Sequence, residues 1–460
     1  MLLTIEKLIY GGDGLARLPA DSPADEARGR GKAVFIPFVL AGEKIEASLT
    51  EQKPGFARAK VDAVIDPSPH RVHPGCPHFG RCGGCHYQHA SYEHQLEIKK
   101  EILRESLRRT AKLDLGFEIE VHPSPPWNYR NRSRLQVQVS PEFAAGYFKL
   151  ASHELEAVEE CPISSPLINR GIALLWQNGR AGKVPEGVRE IEFFANADDT
   201  QLLVEVGCAG KARRAAVREW AEELRAVMPE IAGVVAFREA NPGDRKPGAQ
   251  EILVAAGETY LTYKTQWAAY RVSAGSFFQT NRHLTDKLVK IVTEGQSGDL
   301  ALDLYAGVGL FSTALGDFRH VVSVESSQTS SGDLSYNQPS NGEAVRATTE
   351  QYLAGPQSAR GEQARAETSG RGGKGVVLPH ISHKPDLVVV DPPRSGLEER
   401  VARLLATSGA PRVTYVSCDP ATLARDLIPM LAAGYQVKQV HLVDLFPQTY
   451  HLESVVHMVR

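Results

Sequence analysis

Apolar and polar positions alternate in short runs over residues 1–64, as in Lys32-Ala33-Val34-Phe35-Ile36-Pro37-Phe38-Val39 and Glu43-Lys44-Ile45-Glu46-Ala47. Gly-rich turns at Gly11-Gly12-Asp13-Gly14 and Ala41-Gly42 separate them. A period of two predicts strands with one buried face, and a series of such short strands predicts a small β-barrel. Acidic and basic residues balance here, so the stretch reads equally as a structural cap or as an RNA-binding module. From Pro67 to Gln95 the periodicity stops and Pro, Gly, His and Cys dominate, the composition of a segment ordered by a bound metal rather than by a core. A helix rich in Lys and Arg is predicted over residues 92–112. Strand-like runs (Leu135-Gln136-Val137-Gln138-Val139; Leu202-Leu203-Val204-Glu205-Val206) and an amphipathic helix near 211–228 make residues 67–270 a central α+β domain.

Over residues 275–460 helical and strand patterns alternate, with short apolar strands at His320–Val324, Asp386–Val390 and Arg412–Val416. That alternation predicts a doubly wound, mostly parallel α/β sheet of Rossmann-like type. Residues 355–375 are polar and Gly-rich without period, and are expected to be a disordered insertion with no role in chemistry. The expected protein is thus multidomain, which suits a chain of 460 residues. With 42% hydrophobic and 23% charged residues and no apolar run of spanning length, a membrane role is not expected. The N-terminus does not read as a signal peptide, so the expected location is cytoplasmic. A net charge of -3 gives no global basicity, so any phosphate-binding surface must be local, and no obligate protein partner is implied.

The segment Asp303-Leu304-Tyr305-Ala306-Gly307-Val308-Gly309 ends one predicted strand and opens a helix, and Glu325 closes the next strand. Glycines allow close backbone approach to a ligand, and an acid at that distance suits the ribose hydroxyls of a bound nucleoside. A dinucleotide fingerprint would want a third glycine where Ser312 stands, so S-adenosylmethionine (SAM) fits better than NAD. Asp391-Pro392-Pro393-Arg394 follows another strand at the rim where such sheets bind ligands, a motif that also serves methyl transfer to amino groups. Cys418 follows the strand Arg412–Val416, with Asp419 placed to cap the next helix and Pro420 to begin it. The helix N-terminus favours a thiolate, although Asp419 opposes it. The alternative is a cysteine packed as a small apolar residue. Strand 435–443 should run parallel to the sheet and the last strand return antiparallel from His451-Leu452-Glu453, which brings Glu453 beside Cys418. A thiolate and a base suit C5 of uracil: the thiolate adds to C6, C5 then attacks a methyl donor, and the base removes the C5 proton.

Three thiols, Cys76, Cys82 and Cys85, lie within ten residues, and Cys161 is a distant fourth. On spacing alone they suit an iron-sulfur cluster or, with His78, His86 or His89, a zinc site. Cys208 lies in a strand run and reads as structural. Trp127, Tyr129, Arg130, Arg132 and Arg134 form either a single-strand-binding surface or an alternation of core and solvated positions. Lys99, Lys100, Arg104, Arg108 and Arg109 are candidates for phosphate contact, or for a salt-bridged solvent face with the interleaved Glu residues.

Cys76-x5-Cys82-Gly83-Gly84-Cys85, Phe277-Phe278-Gln279-Thr280-Asn281, the Gly307 loop, Asp391-Pro392-Pro393-Arg394, Ser417-Cys418-Asp419-Pro420 and His451-Leu452-Glu453-Ser454-Val455 together resemble the RNA 5-methyluridine methyltransferases, in order and over nearly the whole chain. The resemblance implies a TRAM-type barrel, a central domain with a [4Fe-4S] cluster on Cys76, Cys82, Cys85 and Cys161, and a class I SAM-dependent domain that recruits the helix 92–112. It further implies Cys418 as nucleophile, Glu453 as base, and SAM contacts from Gln279, Tyr305, Gly307, Gly309, Glu325 and Asp391. The cluster is a mark of the ribosomal-RNA branch, so a flipped or looped uridine of 23S rRNA is the expected substrate. A tRNA uridine and a non-catalytic RNA-binding role are the alternatives.

Overall fold

The computed structural model describes residues 1–18, 31–238, 251–355 and 384–460. The predicted insertion at 355–375 lies outside them except for Gly355. Six strands at the N-terminus, β1 (Leu2–Thr4), β2 (Lys7–Leu8), β3 (Asp13–Arg17), β4 (Ala33–Pro37), β5 (Lys44–Gln52) and β6 (Phe56–Asp66), order as β1-β5-β6-β4-β3-β2. Because β1 and β2 are one stretch of chain, a sheet that starts on one and ends on the other closes on itself, and Glu6 N donates to Leu15 O near the join. The alternation then has a purpose: Leu3, Ile5, Val34, Ile36 and Ile45 fill the interior.

The short strand β7 (Glu120–His122) belongs to the C-terminal sheet. A seven-stranded sheet follows, made of β8 (Arg132–Gln138), β9 (Ala144–Phe148), β10 (Leu155–Ala157), β11 (Val188–Ala195), β12 (Leu202–Cys208), β13 (Ile231–Arg238) and β14 (Glu251–Gly257) in the order β10-β9-β8-β11-β12-β13-β14. Helices Pro166–Arg180 and Arg214–Val227 pack into its core, the second through Val217, Trp220, Ala221 and Leu224 at helical spacing. Phe194, Leu203 and Val235, from the centre of this sheet, instead join a core with Leu288, Val292 and Leu387, so the two large sheets share one apolar interface. The hairpin β15 (Tyr260–Lys264) and β16 (Ala269–Ser273) lies in that interface.

The third sheet comprises β17 (Gly298–Leu304), β18 (Phe318–Glu325), β19 (Gly342–Arg346), β20 (Leu387–Val390), β21 (Arg412–Ser417), β22 (Gln436–Val443) and β23 (Glu453–Val459), ordered β19-β18-β17-β20-β21-β23-β22-β7. Only β23 runs antiparallel, inserted between β21 and β22. All four residues of β20 are buried, as a central parallel strand covered on both faces requires. The chain leaves β17 toward β18 on one side and meets β20 on the other, so the carboxyl ends of β17 and β20 flank the switch point where such sheets bind ligands.

The helix Tyr92–Thr110 packs Ile98, Ile102, Leu103 and Leu107 into the core of this third sheet. Its Lys99 is fully buried, and Nζ donates to Asp444 Oδ1 at 2.6 Å and to Phe446 O at 2.9 Å. Lys99 is therefore no phosphate contact, contrary to one expectation from sequence. Lys100 and Arg104 pair with Glu118, and Arg109 with Glu105. Within the run from Trp127 to Arg134, Tyr129 and Arg132 are core residues, whereas the Arg134 side chain is exposed. Tyr129 is wholly buried with its hydroxyl on Pro447 O, and Arg132 is buried against Glu192 and Glu205 over the Phe194 ring. Tyr129 thus ties the central domain to the C-terminal one and Arg132 braces the central sheet, uses that a single strand pattern does not reveal.

Asp444→Asn leaves the Lys99 ammonium buried without a counter-charge and is expected to destabilise the fold by about 3–5 kcal/mol. A clear drop in the thermal unfolding midpoint, partly recovered in Lys99→Met/Asp444→Leu, is the measured outcome.

Candidate active site and cysteine cavity

After β17 the backbone takes left-handed conformations at Tyr305 (φ 61°), Gly307 (φ 57°) and Gly309 (φ 93°). The glycines accept this without cost, whereas Tyr305 is held there by its surroundings. Its ring packs against the core of the third sheet. Gly307 N donates to Glu325 Oε2 at 2.9 Å, and Ser327 N to Glu325 Oε1 at 2.6 Å, so the acid at the end of β18 is oriented by the glycine loop. Ser312, where a dinucleotide fold would have glycine, bonds the buried carboxyl of Asp303.

Ser417 on β21 pairs with Ser454 on β23, so the next residues along, Cys418 and Glu453, come together at the strand ends, and the Glu453 charge acts on the Cys418 thiol. Asp419 caps the helix Pro420–Ala432 by accepting from Ala421 N and Thr422 N, each at 2.9 Å. The expected thiolate-favouring helix end does not prevail. Burial first, then Glu453 and Asp391, pushes the Cys418 thiol up to about 12 against the opposing charge of Arg394. Glu453 is itself raised well above the usual carboxylate range, by burial and then by Asp391. Burial and Asp303 push Asp391 up to about 7, and burial pushes Asp303 to about 7. Several acids thus share a poorly hydrated pocket, each holding its proton more tightly because of the others.

Gln279 is buried, and the segment that carries it is anchored by Asn281, whose amide donates to Ser124 Oγ and Leu445 O. Sequence reasoning missed Asp303, Arg394 and Tyr10. Asp303 and Arg394 sat inside recognised motifs, at a strand end and in a rim loop. Tyr10 had no such signal: the barrel brings its hydroxyl to Cys418 O at 3.4 Å and its ring edge-on to Tyr450 at 5.4 Å. His86 packs on the same Tyr450 ring.

Away from this pocket, Cys76, Cys82, Cys85 and Cys161 line one cavity, together with Arg130. Burial raises the thiols of Cys76, Cys82 and Cys85, and each feels the charge of Cys161; Cys82 reaches about 11. Gly84 N donates to Cys82 Sγ at 3.4 Å. Arg130 Nε is buried with no hydrogen-bond partner among the described residues, which leaves a cation facing the thiols. Of the nearby histidines only His78 lines the cavity, with its Nδ1 on Glu156 at 3.0 Å; His89 Nε2 meets Val39 O at 3.2 Å, and His86 and His89 lie off the lining. A sulfur-rich donor set beside an unpaired guanidinium fits an anionic, thiolate-bound metal group.

Residues 91–460 match the family model of tRNA (uracil-5-)-methyltransferases, and residues 1–61 match the TRAM domain. This chain belongs to that family: it is an RNA uracil-5 methyltransferase. It is 31% identical to an uncharacterized RNA methyltransferase of Aquifex aeolicus, covering 98% of this chain and 97% of the relative. It is 30% identical to the 23S rRNA (uracil(1939)-C(5))-methyltransferase RlmD of Vibrio parahaemolyticus, covering 98% and 94%. The crystal structure of Pyrococcus abyssi tRNA (uracil-54, C5)-methyltransferase with S-adenosyl-L-homocysteine shares the fold, with a TM-score of 0.70 over 100% of both chains at 23% identity. The N-terminal barrel is thus a TRAM domain, joined to a fold shared with uracil methyltransferases. No helix among the described residues is long and apolar enough to cross a membrane.

Because the Glu453 carboxylate raises Cys418, Glu453→Gln should make the thiol more acidic. Peptide-resolved iodoacetamide labelling at alkaline pH is expected to be faster at Cys418 in that variant than in the parent enzyme; equal rates would remove Glu453 from contact with the thiol.

Proposed function

We propose that the enzyme methylates C5 of a uridine in 23S rRNA, with SAM as donor, Cys418 as nucleophile and Glu453 as base. The observation that carries this reading is the pairing of Ser417 with Ser454, which sets a thiol against a carboxyl at the carboxyl ends of the parallel strands. SAM supplies an electrophilic methyl group and a positive charge to a pocket in which Asp303 and Asp391 otherwise hold protons near neutrality. Glu325 accepts the ribose hydroxyls, while the Gly307 and Gly309 backbone, Tyr305, Gln279 and Asp391 complete the binding site.

Cys418 gives up its proton to water and adds as thiolate to C6 of the uracil, and the electron pair displaced toward C5 would form the bond to the methyl carbon as the donor's sulfur–methyl bond breaks and the sulfur keeps that pair. Glu453 then accepts the C5 proton. The pair left behind re-forms the C5–C6 double bond and expels the Cys418 thiolate, so the enzyme is regenerated once Glu453 loses its proton. The burial that raises Glu453 also raises its basicity, which suits abstraction from carbon. Arg394 offsets negative charge on both residues.

In the same reading Cys76, Cys82, Cys85 and Cys161 hold a [4Fe-4S] cluster, with zinc as the alternative. Support comes from the four thiols that line one cavity, which neither His86 nor His89 lines, and from the buried, unpartnered Arg130 Nε beside them. The cluster orders the loop that carries Cys76, Cys82 and Cys85 and takes part in no bond-making step. The substrate assignment leans on the name of the Vibrio relative. A groove bearing Lys7, Arg17, Arg108 and Arg109, with Glu6 and Glu105, lies between the barrel and the helix Tyr92–Thr110 and offers a phosphate path.

Incubation with labelled SAM and separated rRNA and tRNA, followed by nucleoside analysis, tests the substrate; label in tRNA alone overturns the rRNA assignment. Since proton removal comes after the covalent step, Glu453→Gln is expected to accumulate an RNA-protein adduct that carries the methyl label and survives denaturing electrophoresis. An adduct that persists in the double variant with Cys418→Ala would show that the nucleophile lies elsewhere. Anaerobically purified enzyme is expected to be brown, with about four irons and four acid-labile sulfides, whereas stoichiometric zinc in a colourless protein would settle for the alternative.

A further inference from the structure

Far along the same sheet, β7 adds to β22 as the terminal strand, in parallel register with Glu120 opposite His441 and His122 opposite Val443. Residues two apart on a strand share a face, so Glu120 and His122 both lie on the side of the sheet where His441 stands. Three donor atoms meet there. His122 Nε2 is 3.1 Å from His441 Nδ1, Glu120 Oε1 is 3.4 Å from His122 Nε2, and Glu120 Oε2 is 3.4 Å from His441 Nδ1.

We propose that Glu120, His122 and His441 form a binding site for a divalent transition-metal ion of the zinc or cobalt class, separate from the cysteine cavity. A tetrahedral ion with bonds of about 2.0–2.1 Å holds its ligand atoms about 3.3–3.4 Å apart, and the three measured separations fall at or just below that spacing. Two imidazoles and a carboxylate are ligands such ions take in open sites, where water fills the remaining position. The two imidazoles are nearly buried while the Glu120 side chain is 61% exposed, so one corner of the triangle opens to solvent and gives the ion a way in.

The protonation states agree with a ligand role. Burial, aided by Lys287 and opposed by Glu120, lowers both histidines, His122 to about 4, so both rings are neutral at pH 7 and need lose no proton to bind. The two rings share a hydrogen bond, and ion entry exchanges it for two metal-nitrogen bonds once the donating ring shifts its proton to its other nitrogen. Two nitrogen donors make the site selective for ions that bind nitrogen strongly over magnesium or calcium. The ion would staple β7 to β22 just before Asp444, whose N–H already bonds His122 O, and so would hold the strand that leads into the loop before Glu453.

The test is titration of the full-length, chelator-treated enzyme with Co(II) under anaerobic conditions, with the thermal midpoint followed in parallel. One equivalent is expected to give visible ligand-field bands without a thiolate charge-transfer band in the near ultraviolet, and to raise the midpoint. Glu120→Gln, whose side chain is too exposed to endanger folding, and His122→Asn should each weaken binding at least by the about 10- to 100-fold that loss of a supporting partner costs. The Cys82→Ser variant should bind Co(II) at this site as the parent does. The proposal is overturned if no thiolate-free equivalent binds, or if it binds equally well in Glu120→Gln and His122→Asn.

Discussion

Lys99 and Asp444 form an ion pair with no exposed surface, and much of the molecule converges on the loop it anchors. Two charges removed from water cost several kcal/mol each unless their remaining hydrogen-bonding capacity is met. Here it is: Lys99 also reaches Phe446 O, and Asp444 also accepts from Tyr92. The loop 444–450 then takes Gln95 from the same helix on both sides of Gln448, His86 and Tyr87 N–H groups on Gln448 O, Tyr129 on Pro447 O and Asn281 on Leu445 O. Helix 92–110, the cysteine segment, the central sheet and the Gln279 segment are therefore positioned by one stretch of backbone. That stretch leads directly into Glu453. The geometry of the active pocket thus depends on contacts made by parts of the chain that carry no chemistry.

A second constraint follows from burial. Cys418, Glu453, Asp391 and Asp303 occupy a pocket too poorly hydrated to hold their charges, and each raises its neighbours or is raised by them. The positive charge of Arg394 opposes this by favouring the ionised forms of Cys418 and Glu453. A thiol raised in this way is protected from adventitious alkylation and oxidation. The helix end at Pro420 is too weak to outweigh this, because Asp419 has already taken its free N–H groups.

The chain's one-dimensional pattern determined the elements and the chemistry carried inside local motifs. The two-residue period of Ile45 and Ala47, the helical spacing of Val217, Trp220 and Leu224, the glycine turn after β17 and the Asp419-Pro420 cap are all short-range physics, legible because a few neighbouring residues set backbone conformation. Even the approach of Glu453 to Cys418 was legible, since an antiparallel last strand fixes the register once its turn is placed. Only the tertiary structure decided what the charged and aromatic residues do. Lys99 and Arg132 read as solvent-facing cations, but their partners Asp444, Glu192 and Glu205 lie far away in sequence. Tyr10 reached the pocket only because the barrel docks there, and His122 met His441 only because a three-residue strand joined a distant sheet. A side chain's protonation and role depend on who is within a few ångströms and on how much water remains, and both are properties of the packed molecule rather than of the sequence around it.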